Sequence, residues 1–186
     1  TGYGKIFANA TPDIYATNAY TNFQYLDISM PSESGFDAST NIFTCPAGQT
    51  NSSFIMVYNT PVIAKRDADI EFRWVKNRLT VPQIFDQTPP IPLQGSAVVL
   101  WSGTIGGNTI TSITVVGGSG YSFTDELIFN GIDPVYNHMG AVTVPMEPGD
   151  TLELQFKASN TNYIRQDNSP FNNSTSTLFS KGQLTA

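Results

Sequence analysis

One cysteine, Cys45, is present among the 186 residues, so no intrachain disulfide can form. An exported domain held by disulfide staples is not expected. Cys45 sits in a strand-like run and reads as a small buried hydrophobe rather than a nucleophile. Histidine is equally scarce, with His138 alone. A Ser–His–Asp arrangement would have to use His138, and no nucleophile-elbow motif accompanies it. One His and one Cys cannot close a tetrahedral zinc site. Gly117-Gly118-Ser119-Gly120 lacks the Lys-Ser/Thr ending of a phosphate loop and reads as a hairpin turn.

Charge is sparse too. Asp, Glu, Lys and Arg make up 13% of the chain, against about 25% in an average soluble domain. The balance is acidic, with a net charge of −6 and a pI near 4.5. That balance disfavours holding nucleic acid or an anionic membrane surface by a basic patch. No apolar run is long enough to span a bilayer and no signal-peptide pattern opens the chain, so membrane insertion is not expected. The first residue is Thr1, which we read as the loss of at least an initiator residue.

What is present is β chemistry. Hydrophobic residues reach 40%, enough for one domain with a real core. Residues 68–76 alternate, with Ala68, Ile70, Phe72 and Trp74 on one side and Asp67, Asp69, Glu71 and Arg73 on the other, which predicts a half-buried strand. Thr151–Lys157 alternates with Leu152, Leu154 and Phe156 inward, and Val142, Val144 and Met146 alternate before it. Residues 54–58 and 97–101 are continuously apolar, as in strands buried on both faces. Gly106-Gly107-Asn108 predicts a hairpin turn into Thr109–Val116. Residues 22–30 and 177–184 read as strands, and 82–96 as an irregular proline-rich connection. Residues 130–140 read as loop and 158–175 as a polar, Asn-rich connection. Residues 1–20 show no defensible period and are expected to be an extended arm, ordered only against a neighbouring subunit or a shell. With no convincing helix, the pattern predicts an antiparallel sandwich or barrel.

Four stretches carry a resemblance. Phe36-Asp37 precedes a short turn, then Phe43-Thr44-Cys45-Pro46, Gly48 and the aromatic strand Phe54–Tyr58. Val75-Lys76-Asn77 forms a Lys-Asn turn. Gly140–Gln155 contains a strand, the Gly149-Asp150 turn and the next strand. Ser176–Leu184 holds a closing strand with Phe179 and Gly182. In this order they resemble the C1q-like branch of the tumour necrosis factor fold. The resemblance implies an all-β antiparallel jelly-roll sandwich that assembles as a homotrimer, with binding or structural roles and no shared catalytic centre. Residues 83–139 depart from the family's short connection. Segments there, such as Leu100-Trp101-Ser102-Gly103 and Ile113–Tyr121, look similar to segments of phage structural proteins.

The expected organisation is an arm at 1–20 and a jelly-roll domain at 21–186, with 83–139 as an inserted β excursion. The expected function is that of a non-enzymatic virion protein of a tailed phage, on the external surface, as capsid decoration or fibre knob. Its partners would be two further copies and a viral capsid or fibre protein. The alternative is an adhesin head that binds a carbohydrate or receptor, with a host-surface glycan as partner. Binding is expected on the 117–138 side, through Tyr121, Phe123, Tyr136 and His138. No cofactor, catalytic residue or metal ligand is expected. Asp67, Asp69 and Glu71 share one strand face and could gather a hard cation, but a solvated face balanced by cross-strand pairs is the preferred reading.

Overall fold

The computed structural model describes residues 2–7, 13–23, 35–37, 39–48, 52–96, 98–104, 109–116, 119–122, 130–132, 134–166 and 176–183. Among the described residues the regular structure is entirely strand. The strands in chain order are β1 (Gly2–Phe7), β2 (Asp13–Ala16), β3 (Thr21–Asn22), β4 (Phe36–Asp37), β5 (Ile42–Thr44), β6 (Ser52–Ala64), β7 (Ala68–Lys76), β8 (Gln83–Phe85) and β9 (Ile91–Leu93). They continue as β10 (Val98–Thr104), β11 (Thr109–Val116), β12 (Ser119–Ser122), β13 (Asn130–Ile132), β14 (Tyr136–Met146), β15 (Thr151–Ala158), β16 (Asn162–Gln166) and β17 (Ser176–Gln183).

Two antiparallel sheets, of six and seven strands, bring all of these together except β10–β13. The first runs β1-β17-β6-β16-β2, with β14 on the other side of β6. The second runs β4-β5-β15-β7-β8, with β3 also on β15 and β9 also on β7. Alternate residues of the central strands meet between them. Phe54, Met56, Phe72, Phe156 and Ile70 are fully buried there, with Trp74 and Leu154 beside them. Phe43 meets Phe54 edge-on with centroids 5.0 Å apart, and Phe23 meets Phe156 at 5.2 Å. Such aromatic contacts add to what area burial contributes.

The turns follow their residues. Asp37 Oδ1 accepts from Ser39 N–H at 2.8 Å and Asn41 takes a positive φ of 56°, closing β4 onto β5. Asn41 is tolerated there because its short polar side chain suits the left-handed region. Pro46 ends the ladder after β5.

Several expectations are corrected. The described segments within residues 1–20 are not held by a neighbour, because β1 pairs with β17 and β2 with β16 of the same chain. Strand formation there comes from pairing, which a single segment's period does not reveal. The run at 54–58 is buried on one face only, since Ile55 and Val57 are 39% and 51% exposed. Residues 82–96 contain β8 and β9, both laddered on β7. Residues 136–140 are not loop but the first half of β14, and β16 lies inside 158–175. Of the expected strand at 22–30, residues 24–30 lie outside the described ones. The β15 strand does not simply alternate: Glu153 and Gln155 on its far face are 3% and 4% exposed. They are covered by hydrogen-bonding partners, Asn22 Nδ2 at 2.8 Å from Glu153 and Arg73 Nε at 2.9 Å from Gln155, with Arg78 also pairing Glu153.

The region 83–139 divides. Its two ends belong to the sandwich, as β8, β9 and the start of β14. Between them, β10 and β11 form an antiparallel hairpin and β12 pairs with β13. The hairpin turn expected at 106–108 lies outside the described residues, as does residue 105. The side chain of Trp101 in β10 is likewise outside them.

Candidate functional site

The outer face of the first sheet carries the most distinctive surface. In β6 the even positions point inward, so Ile55 and Val57 point outward. The β14 strand sets Ala141 opposite Val57, Thr143 opposite Ile55 and Met139 opposite Asn59. On the other side, β17 sets Leu178, Ser180 and Ser176 at the same three rows. Within β14, β6 and β17 no residue of these rows carries a charge, and Lys5 of β1, opposite Leu178, marks the edge of the Val57 row. Met139 is 59% exposed. A chain with a net charge of −6 thus leaves an uncharged, partly apolar band across three strands.

Toward another edge of the same sheet, Tyr15 of β2 and Tyr163 of β16 are direct cross-strand partners. Their rings meet edge-on at 5.5 Å and both are about half exposed.

The residues expected to bind are scattered. Tyr121 lies in β12, but its side chain is outside the described residues, and Phe123 is outside them altogether. Tyr136 opens β14 half-buried, with its ring stacked 6.3 Å from Phe72. Burial raises its phenol above the ordinary range. His138 is not on a surface. It is 2% exposed, lies on Phe72 with centroids 4.2 Å apart and planes 7° apart, and meets Tyr58 at 4.8 Å. Its Nε2 has no hydrogen-bond partner, and burial pushes the imidazole down to about 4. His138 therefore leaves the binding set. The physical reason is strand parity, since the inward alternation of Val142, Val144 and Met146 extends back through Gly140 to His138 and Tyr136. That same alternation places Met139 outward, and could have identified it. Tyr15 gave no comparable signal, because its strand is set by pairing with β16.

The acidic face of β7 resolves into separate interactions. Glu71 pairs with its cross-strand partner Lys157 at 3.1 Å. Asp67 Oδ1 accepts from Gly95 N–H at 2.6 Å. Among the described residues no group of three His, Cys, Asp or Glu is placed to hold a metal ion. Cys45 is buried, as expected.

No family model matches the chain, and no curated protein matches it. Solved structures do. The chain is similar to the tumour necrosis factor Eiger of S. frugiperda at 10% identity and a TM-score of 0.52, covering 98% of this chain and 94% of that one. It is also similar to the globular domain of zebrafish complement 1qA protein at 11% identity and a TM-score of 0.41, covering 88% and 92% of the two chains. The likeness to Eiger is one of fold. The all-β antiparallel jelly roll implied by the order of motifs is the fold this chain adopts.

Proposed function

We propose that the protein is a non-enzymatic homotrimer whose subunits meet through the outer face of the first sheet. The observation that carries this reading is the uncharged band in which Ile55, Val57 and Met139 stand 39%, 51% and 59% exposed in a single chain. Interfaces between copies are depleted of charge at their centre and enriched in apolar residues and Met. Closed symmetry then hides the band without leaving a sticky face for further growth.

Within that reading the trimer serves as an external virion component of a tailed phage, decorating a capsid or tipping a fibre. The neutral polar composition and the phage-like segments between residues 97 and 121 support it. Light scattering should give three times the 20.2 kDa chain mass, and imaging of the source particle should find copies on its exterior. A monomer that persists at micromolar concentration overturns the assembly. Particles without the protein on their exterior overturn the virion role.

A second reading, a carbohydrate-binding head, is favoured by the Tyr15–Tyr163 pair, since exposed aromatic rings stack on sugar faces. Glycan-array binding tests it.

A further inference from the structure

The inward residues of the first half of β14 are Tyr136, His138 and Gly140. Tyr136 is only half-buried. Gly140 has no side chain, and none fits, because a Cβ there would lie 2.6 Å from the Tyr58 hydroxyl. His138 is thus the one fully buried side chain that holds this half of the strand against the second sheet. The second half differs, with Val144 and Met146 buried and apolar. We infer that His138 is an acid-operated latch, whose protonation frees residues 136–140 from the core while the remaining sandwich stays paired.

The surroundings of the ring leave a proton no counter-charge. The β6 strand presents Tyr58 and Thr60, the latter directly opposite His138 in register, fully buried and with its hydroxyl unpartnered. The β7 strand presents Phe72, with Trp74 behind Tyr58 at 5.5 Å. Along β14 itself the neighbours are Tyr136 and Gly140. The segment after β8 brings Asp86, whose Oδ2 lies 3.3 Å from the place a Gly140 Cβ would occupy. The titratable groups around the ring among the described residues are therefore two tyrosines, neutral at these pH values, and Asp86. Burial raises the Asp86 carboxyl, and desolvation of the His138 ring, not offset by that carboxylate, is what lowers the imidazole.

The sign follows from the depressed imidazole. An exposed His takes up its proton near pH 6.5, while the latched one resists until about 4. Between those values the opened state binds more protons, so acid favours opening, by about tenfold per pH unit. The freed segment follows β13 in the chain, so the latch acts on the side of the sandwich that β10–β13 lead into.

Hydrogen exchange on the full chain tests this, with protection factors corrected for intrinsic rates at pH 7.5 and pH 5.0. The amides of residues 136–140 should lose roughly tenfold or more of their protection at pH 5.0, with β15 amides unchanged. The variant His138→Phe should keep its protection at both pH values. Equal loss in the variant, no loss in the wild type, or uniform loss across β15 overturns the latch. If the variant does not fold, the wild-type imidazole resonance decides. As the chain's sole histidine it is unambiguous, and a midpoint near 6.5 with protection retained would likewise overturn the proposal.

Discussion

The Asn77 side chain donates to the Asp150 carboxylate at 2.9 Å across 73 positions of sequence. The tie is reciprocal, because Asn77 Oδ1 accepts from Thr151 N–H at 2.9 Å. Lys76 Nζ lies 3.2 Å from the other Asp150 oxygen, which also accepts from Glu147 N–H at 2.8 Å. Two turns, one after β7 and one before β15, are thereby locked at the end of the second sheet. Asn77 reaches this geometry at a φ of 54°, which few side chains tolerate.

Replacing Asp150 by Ala should therefore destabilise the fold by about 1–3 kcal/mol, since it strips partners from two backbone or amide donors and from a lysine. The pH sign can be worked out. Burial acts to raise the Asp150 carboxyl, but the Glu147 N–H, Asn77 and Lys76 outweigh it and hold the group below its usual range. The folded state thus gains stability from the ionised form above the ordinary carboxylate range and loses it as pH falls through the lowered value. Urea unfolding from pH 6 to pH 2 should show wild type and Asp150→Ala converging in acid. A constant gap would mean that the charge contributes nothing.

Trp74 is 2% exposed and sits opposite Leu154 in register, with Tyr58 against its ring. Trp74→Ala should cost about 3–5 kcal/mol by leaving a large cavity. Its indole N–H has no hydrogen-bond partner, so Trp74→Phe removes a buried donor together with part of the volume. It should cost clearly less than the alanine variant. Equal losses in chemical denaturation would show that a phenyl ring recovers none of the packing, so that filled volume is not what Trp74 contributes.

These two sites show what was legible in the sequence. Alternation at β7 and the Lys76-Asn77 and Gly149-Asp150 turns are local signals, and each fell where its residues pointed. Local chemistry also marked the β10–β11 hairpin. Other features are decided by contacts far along the chain. The β1 and β2 strands exist because β17 and β16 offer ladders to pair with. His138 and Gly140 disguised the start of β14, since both are common in loops. The run Phe54–Tyr58 is apolar on both faces, and nothing local says that only one of them meets the core.

Gly140→Val should be poorly tolerated, because the new side chain meets the Tyr58 hydroxyl and then the Asp86 carboxylate. Overpacking of this kind costs typically about 1–3 kcal/mol. Shortening the obstacle with Tyr58→Phe should recover part of the loss in the double variant. Strictly additive effects on unfolding would mean that the two groups do not clash.

If the Tyr15–Tyr163 pair stacks on sugar, Tyr163→Ala should abolish any glycan-array signal while thermal unfolding moves little, because the ring is half exposed. Retained binding would locate recognition elsewhere, with Tyr121 and Phe123 the next residues to change.

The sharpest test of assembly is Val57→Asp. In a single chain the Val57 side chain is 51% exposed, between Ala141 and the Leu178 position. A carboxylate there reaches water in the monomer, and the substitution should cost the isolated fold about 1 kcal/mol or less. Inside a trimer the same carboxylate is repeated around the symmetry axis, and the one cation in its row among the described strands, Lys5 of β1, stands beyond the Leu178 position rather than beside it. Burying an unpaired charge costs several kcal/mol, and each 1.4 kcal/mol is about tenfold in association. Light scattering should fall from three chain masses to one, while circular dichroism keeps the β signature and nearly the same melting. Ile55→Asp, one row away, should do the same, whereas Asp in place of exposed Leu79, on the turn between β7 and β8, should leave the trimer intact. A trimer that survives Val57→Asp would place the subunit contact on another face, and the uncharged band would then need a different partner.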